Sequence, residues 1–142
     1  MARKFEATSS VIINAEPAAI WAALTDPEVL SQAFFGAKVE TDWQPGSPIT
    51  FTGEWQGKSF QDKGEIVKVE PNKMLQFTHF SPLTGQPDVP ENYHTVTLEL
   101  TPRGSDTELS ISQTNAASEE EREHSEANWS QVLASLKKLT ER

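Results

Sequence analysis

A chain of 142 residues suits one domain, residues 1–142, with a proper core, because 7 Phe, 4 Trp and 1 Tyr add bulk to a hydrophobic content of only 36%. Its 21 acidic against 12 basic residues give a formal net charge of −9, and the averaged field repels phosphate backbones and anionic lipid, which sets nucleic acid and membrane aside as partners. The lack of cysteine excludes disulfide and thiolate chemistry, and MARKFEATSS has no apolar h-region after its basic residues, so with no run near ~18 apolar residues the expected compartment is the cytoplasm.

Phe5 to Asn14 alternates, with Phe5, Ala7, Ser9, Val11 and Ile13 on one face, and predicts a strand. Pro17 suits a first helical turn and Ala18 to Leu24 are mainly helix formers, so a short helix ends near Asp26. The Asp26-Pro27 step breaks it, and a second short helix runs from Pro27 to about Phe34. From Ala37 the period becomes two. Strands are predicted over Lys38 to Trp43 and Ile49 to Trp55, the latter with Ile49, Phe51, Gly53 and Trp55 on one face, and Pro45-Gly46 turns between them.

Gln56-Gly57 is the hairpin turn into Ser59 to Val69, whose parity changes around Gly64, where a bulge is expected. After Pro71-Asn72, Leu75, Phe77 and His79 face one way. Ser81 to Tyr93, with three prolines and one glycine, is the longest irregular segment and a candidate lid. Val96, Leu98 and Leu100, then Leu109, Ile111 and Gln113, face inward on two further strands around an Arg103-Gly104 turn. Ser118 with Glu121 forms a capping box, and Trp129, Val132, Leu133, Leu136 and Leu139 make an apolar stripe on a helix that runs to Thr140. Continued backwards, that face carries Glu126, Ser125 and Arg122: either the wall of a partly polar cavity or a helix emerging into solvent. Runs of strands with segregated helices define an α+β fold with an antiparallel sheet of about six to seven strands, two short helices after the first, and one long C-terminal helix.

Pro17 to Glu28, PAAIWAALTDPE, and Trp129 to Lys137, WSQVLASLK, resemble the START-like (SRPBCC) superfamily. Gly64-Glu65-Ile66, Glu70-Pro71-Asn72-Lys73 and Leu75-Gln76-Phe77-Thr78 are similar to its branch of heat-shock protein 90 ATPase activator homologues. The resemblance covers nearly the whole chain and implies a helix-grip fold, a curved sheet wrapped around the C-terminal helix with a hydrophobic cavity between them. Two positions depart from the branch: Ala33 or Phe34 stands where it often has Trp, which reshapes the cavity mouth, and Asn128 where it often has Gly.

No nucleophile motif, phosphate loop or clustered metal spacing is present, so no catalytic residue, metal or cofactor is assigned. Phe51, Trp55, Phe77 and Trp129 make an aromatic cage or, equally, plain core, with Phe34 at the mouth. His79, Gln113 and Ser125 fall in phase with inward neighbours as a polar end to the cavity; the competing reading is that they satisfy one another and buried water. Asp62 and Glu126 are the acids expected at the cavity rim, whereas His94 and His124 are read as peripheral. Three function classes follow. The first is a non-enzymatic module, with a role in stress, that binds a small hydrophobic or amphipathic ligand between sheet and C-terminal helix, as monomer or homodimer. The second, implied only by the branch name, is a chaperone partner that resembles an activator of the heat-shock protein 90 ATPase. The third is a cyclase- or hydrolase-like enzyme with His79 as acid or base, for which the sequence supplies no second catalytic group.

Overall fold

The computed structural model describes residues 5–141 apart from 35, 56, 82–84 and 117 and the side chain of Trp55. Alternating polar and apolar residues fold as seven strands among the described residues: β1 (Phe5–Ile13), β2 (Lys38–Glu40), β3 (Pro48–Trp55), β4 (Lys58–Glu70), β5 (Met74–His79), β6 (His94–Arg103) and β7 (Asp106–Ala116). They form one antiparallel sheet in the order β1-β7-β6-β5-β4-β3-β2. Helices α1 (Pro17–Leu24) and α2 (Pro27–Ala33) connect the two edge strands, and α3 (Glu119–Thr140) follows the last strand. This is the α+β arrangement of a curved sheet gripping a long helix.

Side chains cap two of the helix starts. Pro27 opens α2 behind Asp26, whose carboxylate accepts from the Glu28 N–H at 2.9 Å, and the Ser118 hydroxyl accepts from the Glu121 N–H at 3.1 Å at the start of α3. Lys137 and Lys138 occupy the last turn of α3, where the helix dipole favours cations. Inward residues of all seven strands, among them Ile13, Val39, Ile49, Ile66, Leu75, Leu98 and Ile111, join Ile20 and Leu24 of α1 and Val132, Leu133 and Leu136 of α3 in one buried core.

Four local expectations are corrected. The strand after α2 stops at Glu40, because the Asp42 carboxylate accepts from the Gln44 N–H at 3.0 Å and Trp43 adopts φ 61°, an Asx-type turn that competes with the ladder. Phe5 is 40% exposed, since the β1 register shifts between Phe5 and Ala7. The β4 bulge lies at Val67, not Gly64: pairing with β5 shifts between Ile66 and Lys68, and Val67 is turned out to 46% exposure. Gly64 has a different reason to be glycine, as a Cβ there would stand 1.7 Å from the Thr78 carbonyl oxygen of β5. Leu139, placed on the buried stripe of α3, is 41% exposed near the helix end.

Helix α3 lies chiefly along β1, and its polar side chains occupy the backbone groups of that open edge. The Thr8 N–H donates to Glu126 at 2.9 Å, Lys137 donates to the Ile12 carbonyl at 2.8 Å, and the Asn14 N–H donates to Glu141 at 2.9 Å. Ser9 and Ser130 share a hydroxyl pair at 2.9 Å. An edge strand that would invite another chain is thereby closed by its own helix.

Candidate functional site

The N-terminal half of α3 leaves the sheet uncovered where its inward side chains are small and polar. A cavity of about 250 Å³ opens between Ser125, Asn128, Trp129 and Val132 of α3 and the inner face of β3, β4, β5 and β7. Phe51 of β3 and Phe77 of β5 form its floor, with ring centres 5.8 Å apart. Phe34, just past α2, stacks on Phe51 at 5.8 Å and meets Trp129 edge-on at 5.8 Å. Ala37 and Phe60 complete the wall.

The polar groups sit in pairs. His79 Nε2 stands 3.0 Å from an Asp62 oxygen, and an ionised carboxylate only accepts, so Nε2 carries the proton and donates. The imidazole meets Phe51 edge-on at 5.4 Å. The second Asp62 oxygen is buried with no hydrogen-bond partner among the described residues. Across the cavity the Trp129 indole N–H donates to the Gln113 side-chain oxygen at 2.8 Å. An indole N–H cannot accept, which fixes the Gln113 amide with its NH₂ pointing away from Trp129.

Of the residues expected to bind a ligand, Phe34, Phe51, Phe77, His79, Gln113, Ser125 and Trp129 all line this one cavity. The Trp55 side chain lies outside the described residues. His79, Gln113 and Ser125 border the same space, yet none bonds to another of the three; His79 pairs with Asp62 and Gln113 with Trp129. Asp62 is at the cavity as expected, but Glu126 is not. It turns to the β1 edge, where the Thr8 N–H first and Arg122 next hold its carboxyl below the usual range. Arg122 follows it, kept firmly protonated by Glu119 above all and then Glu126, so neither reaches the cavity.

Sequence reasoning missed Ala37, Phe60, Asn128 and Val132 as lining. Two signals were available: Phe60, Asp62, Gly64 and Ile66 keep one parity without a break, and Ser125, Asn128, Trp129 and Val132 recur at helical spacing. His94 donates from Nδ1 to the Thr114 carbonyl at 2.8 Å and His124 is exposed on α3, both away from the cavity. The described part of the long connection is bound to the opposite, outer face instead of capping the cavity. Asp88 ion-pairs with the outward Lys63 and accepts from Tyr93 at 2.6 Å, Tyr93 stacks on Phe80 at 5.1 Å, and Asn115 donates to the Glu91 carbonyl at 2.7 Å. Lys63 holds the Asp88 carboxyl below its ordinary range, and Asp88 raises the Tyr93 hydroxyl.

A seven-stranded sheet that grips a long helix over a side-chain-lined cavity defines a helix-grip protein of the START-like kind. The chain belongs to the family described as activator of Hsp90 ATPase homolog 1-like protein, whose model matches residues 14–141. It is similar to the solution structure of ChR145 from Cytophaga hutchinsonii, with 45% identity, 98% of this chain and 95% of that chain covered, and a TM-score of 0.84. The solution structure of the Aha1 dimer from Colwellia psychrerythraea shares the fold at 20% identity, 96% coverage of both chains and a TM-score of 0.73. So does the crystal structure of Ara h 8.0201, at 12% identity, 97% and 98% coverage and a TM-score of 0.77. Comparison with proteins of curated function gives no match. Among the described residues no helix is long and apolar enough to cross a membrane.

Proposed function

We propose that this protein binds a small amphipathic molecule in the cavity between α3 and the sheet. The observation that carries the reading is the division of that cavity into an aromatic floor and a pair of polar ends, the arrangement by which a site orients a ligand that it mainly buries. At about 250 Å³ the space falls below the ~300–1,000 Å³ of sites for larger ligands and suits a compact one. A library of one-ring and short-chain amphiphiles, titrated into ¹⁵N-labelled protein, tests this. The expected result is saturable shifts at the Trp129 indole and Gln113 amide, abolished by Ser125→Phe, which fills the space. An absence of such shifts, or shifts that persist in Ser125→Phe, overturns the reading.

A second reading, a chaperone partner in the stress response, draws on the family description and on the Aha1 dimer that shares the fold. Stimulation of the host chaperone's ATPase by the protein supports it; a rate unchanged throughout a titration removes it.

A further inference from the structure

Resting on that ligand-binding reading, we infer that the cavity selects a neutral, one-ring molecule carrying a hydroxyl at one end and a carbonyl at the other, and rejects carboxylates. The pattern of donors and acceptors decides it. At one end the Asp62 carboxylate accepts the hydrogen bond from His79 Nε2–H, and in that tautomer Nδ1 is a lone-pair acceptor with no partner among the described residues. The other Asp62 oxygen is buried with no partner among the described residues, so it contributes negative charge to this end and no contact. This end therefore calls for an O–H from the ligand.

At the other end Trp129 occupies the Gln113 oxygen, and the Gln113 NH₂, which has no partner among the described residues, calls for an acceptor, for which a carbonyl serves. Phe77, Val96 and Gln113 are register partners across three strands, and His79 lies two residues along from Phe77. The two anchors are thus roughly 12 Å apart at the backbone by strand spacing and rise. With both side chains reaching inward, one ring fits between them, against Phe51 and Phe77.

Charge supplies the exclusion. Asp62 is the one carboxylate among the described lining residues, and no Lys or Arg lines the cavity. The neighbouring Lys63 points to the outer face and pairs with Asp88, while Arg122 is taken by Glu119 and Glu126. A ligand carboxylate would meet like charge with no cation to offset it.

Four probes of similar size test this by NMR titration: 4-hydroxyacetophenone, acetophenone, phenol and 4-hydroxybenzoate. The first should bind about tenfold more tightly than the second or third, each of which lacks one hydrogen bond, and the anion should not bind. Asp62→Asn should admit 4-hydroxybenzoate, and Gln113→Met should abolish the preference for 4-hydroxyacetophenone over phenol. If all three neutral probes bind equally, or the anion binds the unmodified protein as well as they do, the selectivity inference is overturned and the ligand-binding reading stands. If no probe moves a resonance of the cavity lining, both fall.

Discussion

The two ends of the space under α3 are framed by the same sheet and the same helix, yet they hold very different amounts of room. Toward α1, Leu24, Leu30, Ile49, Leu75 and Leu98 surround a void of about 20 Å³, room for about one water, in a lining that is apolar apart from the Trp43 indole. Toward the start of α3 the cavity measures about 250 Å³. Phe34, Phe51 and Phe77 border both and form the wall between them. The difference lies in side-chain volume along one helix: Leu133 and Leu136 are fully buried in the core, whereas Ser125 and Asn128, two to three turns earlier, are too short to reach the sheet. Internal space here is written into side chains, with the backbone frame held constant.

The comparison breaks most easily at the closed end. Leu133→Ala should cost about 3–5 kcal/mol in a urea titration, lost transfer energy plus a cavity that packed neighbours cannot fill. A loss under about 1 kcal/mol would mean that the closed end is as loose as the open one. Trp129→Ala removes a larger side chain but a half-buried one that already faces space, so about 2–3 kcal/mol is expected, despite the lost bond to Gln113. A cost above that of Leu133→Ala would move the mechanical centre of the helix to the cavity.

Ser125→Leu sharpens the contrast, because it adds apolar volume where room exists. Its stability should stay within about 0.5 kcal/mol of the parent or rise, while ligand-induced shifts are lost. A destabilisation of about 2 kcal/mol would show that the space is narrower than its outline. The smallest effect concerns the edge that α3 closes. The Thr8 N–H first and then Arg122 depress the Glu126 carboxyl, and Lys137 first and then the Asn14 N–H depress that of Glu141. Folded values below the unfolded 4.5 give a stabilisation fully present above that pH and lost as pH falls through the folded values. Glu126→Gln with Glu141→Gln should flatten the acid limb of stability slightly, less so at high salt because both groups are partly open to solvent. An acid limb identical to the parent's would show that these carboxylates do not hold the edge.

Most of the frame was legible because it rests on local chemistry. Period-two alternation located the strands, although it ran β2 on past Glu40, the Asp26-Pro27 break separated α1 from α2, and Ser118 marked the first turn of α3. The cavity lining was legible in part, since residues in phase with Phe77, Ile111 and Trp129 had to face the helix. Partners were not. Nothing in the order of residues says that Asp62, 17 positions before His79, reaches its Nε2, or that Gln113 meets Trp129 and not His79.

The sequence by itself determined which residues form strands and helices, which face of each is apolar, and how the α+β frame is strung, because propensity, capping and periodicity act within a few residues. Only the tertiary structure decided three things. The first is the bulge at Val67, which turns Val67 out and changes the parity of β4 after Ile66; the second is the turn of Glu126 to the β1 edge and away from the cavity; the third is the pairing of His79 with Asp62. The reason is geometric. A side chain's face follows from its own neighbours in the chain, but its hydrogen-bond partner depends on how strands distant in sequence are staggered and how far the helix lies from them, and those distances exist only once the whole sheet has closed on α3.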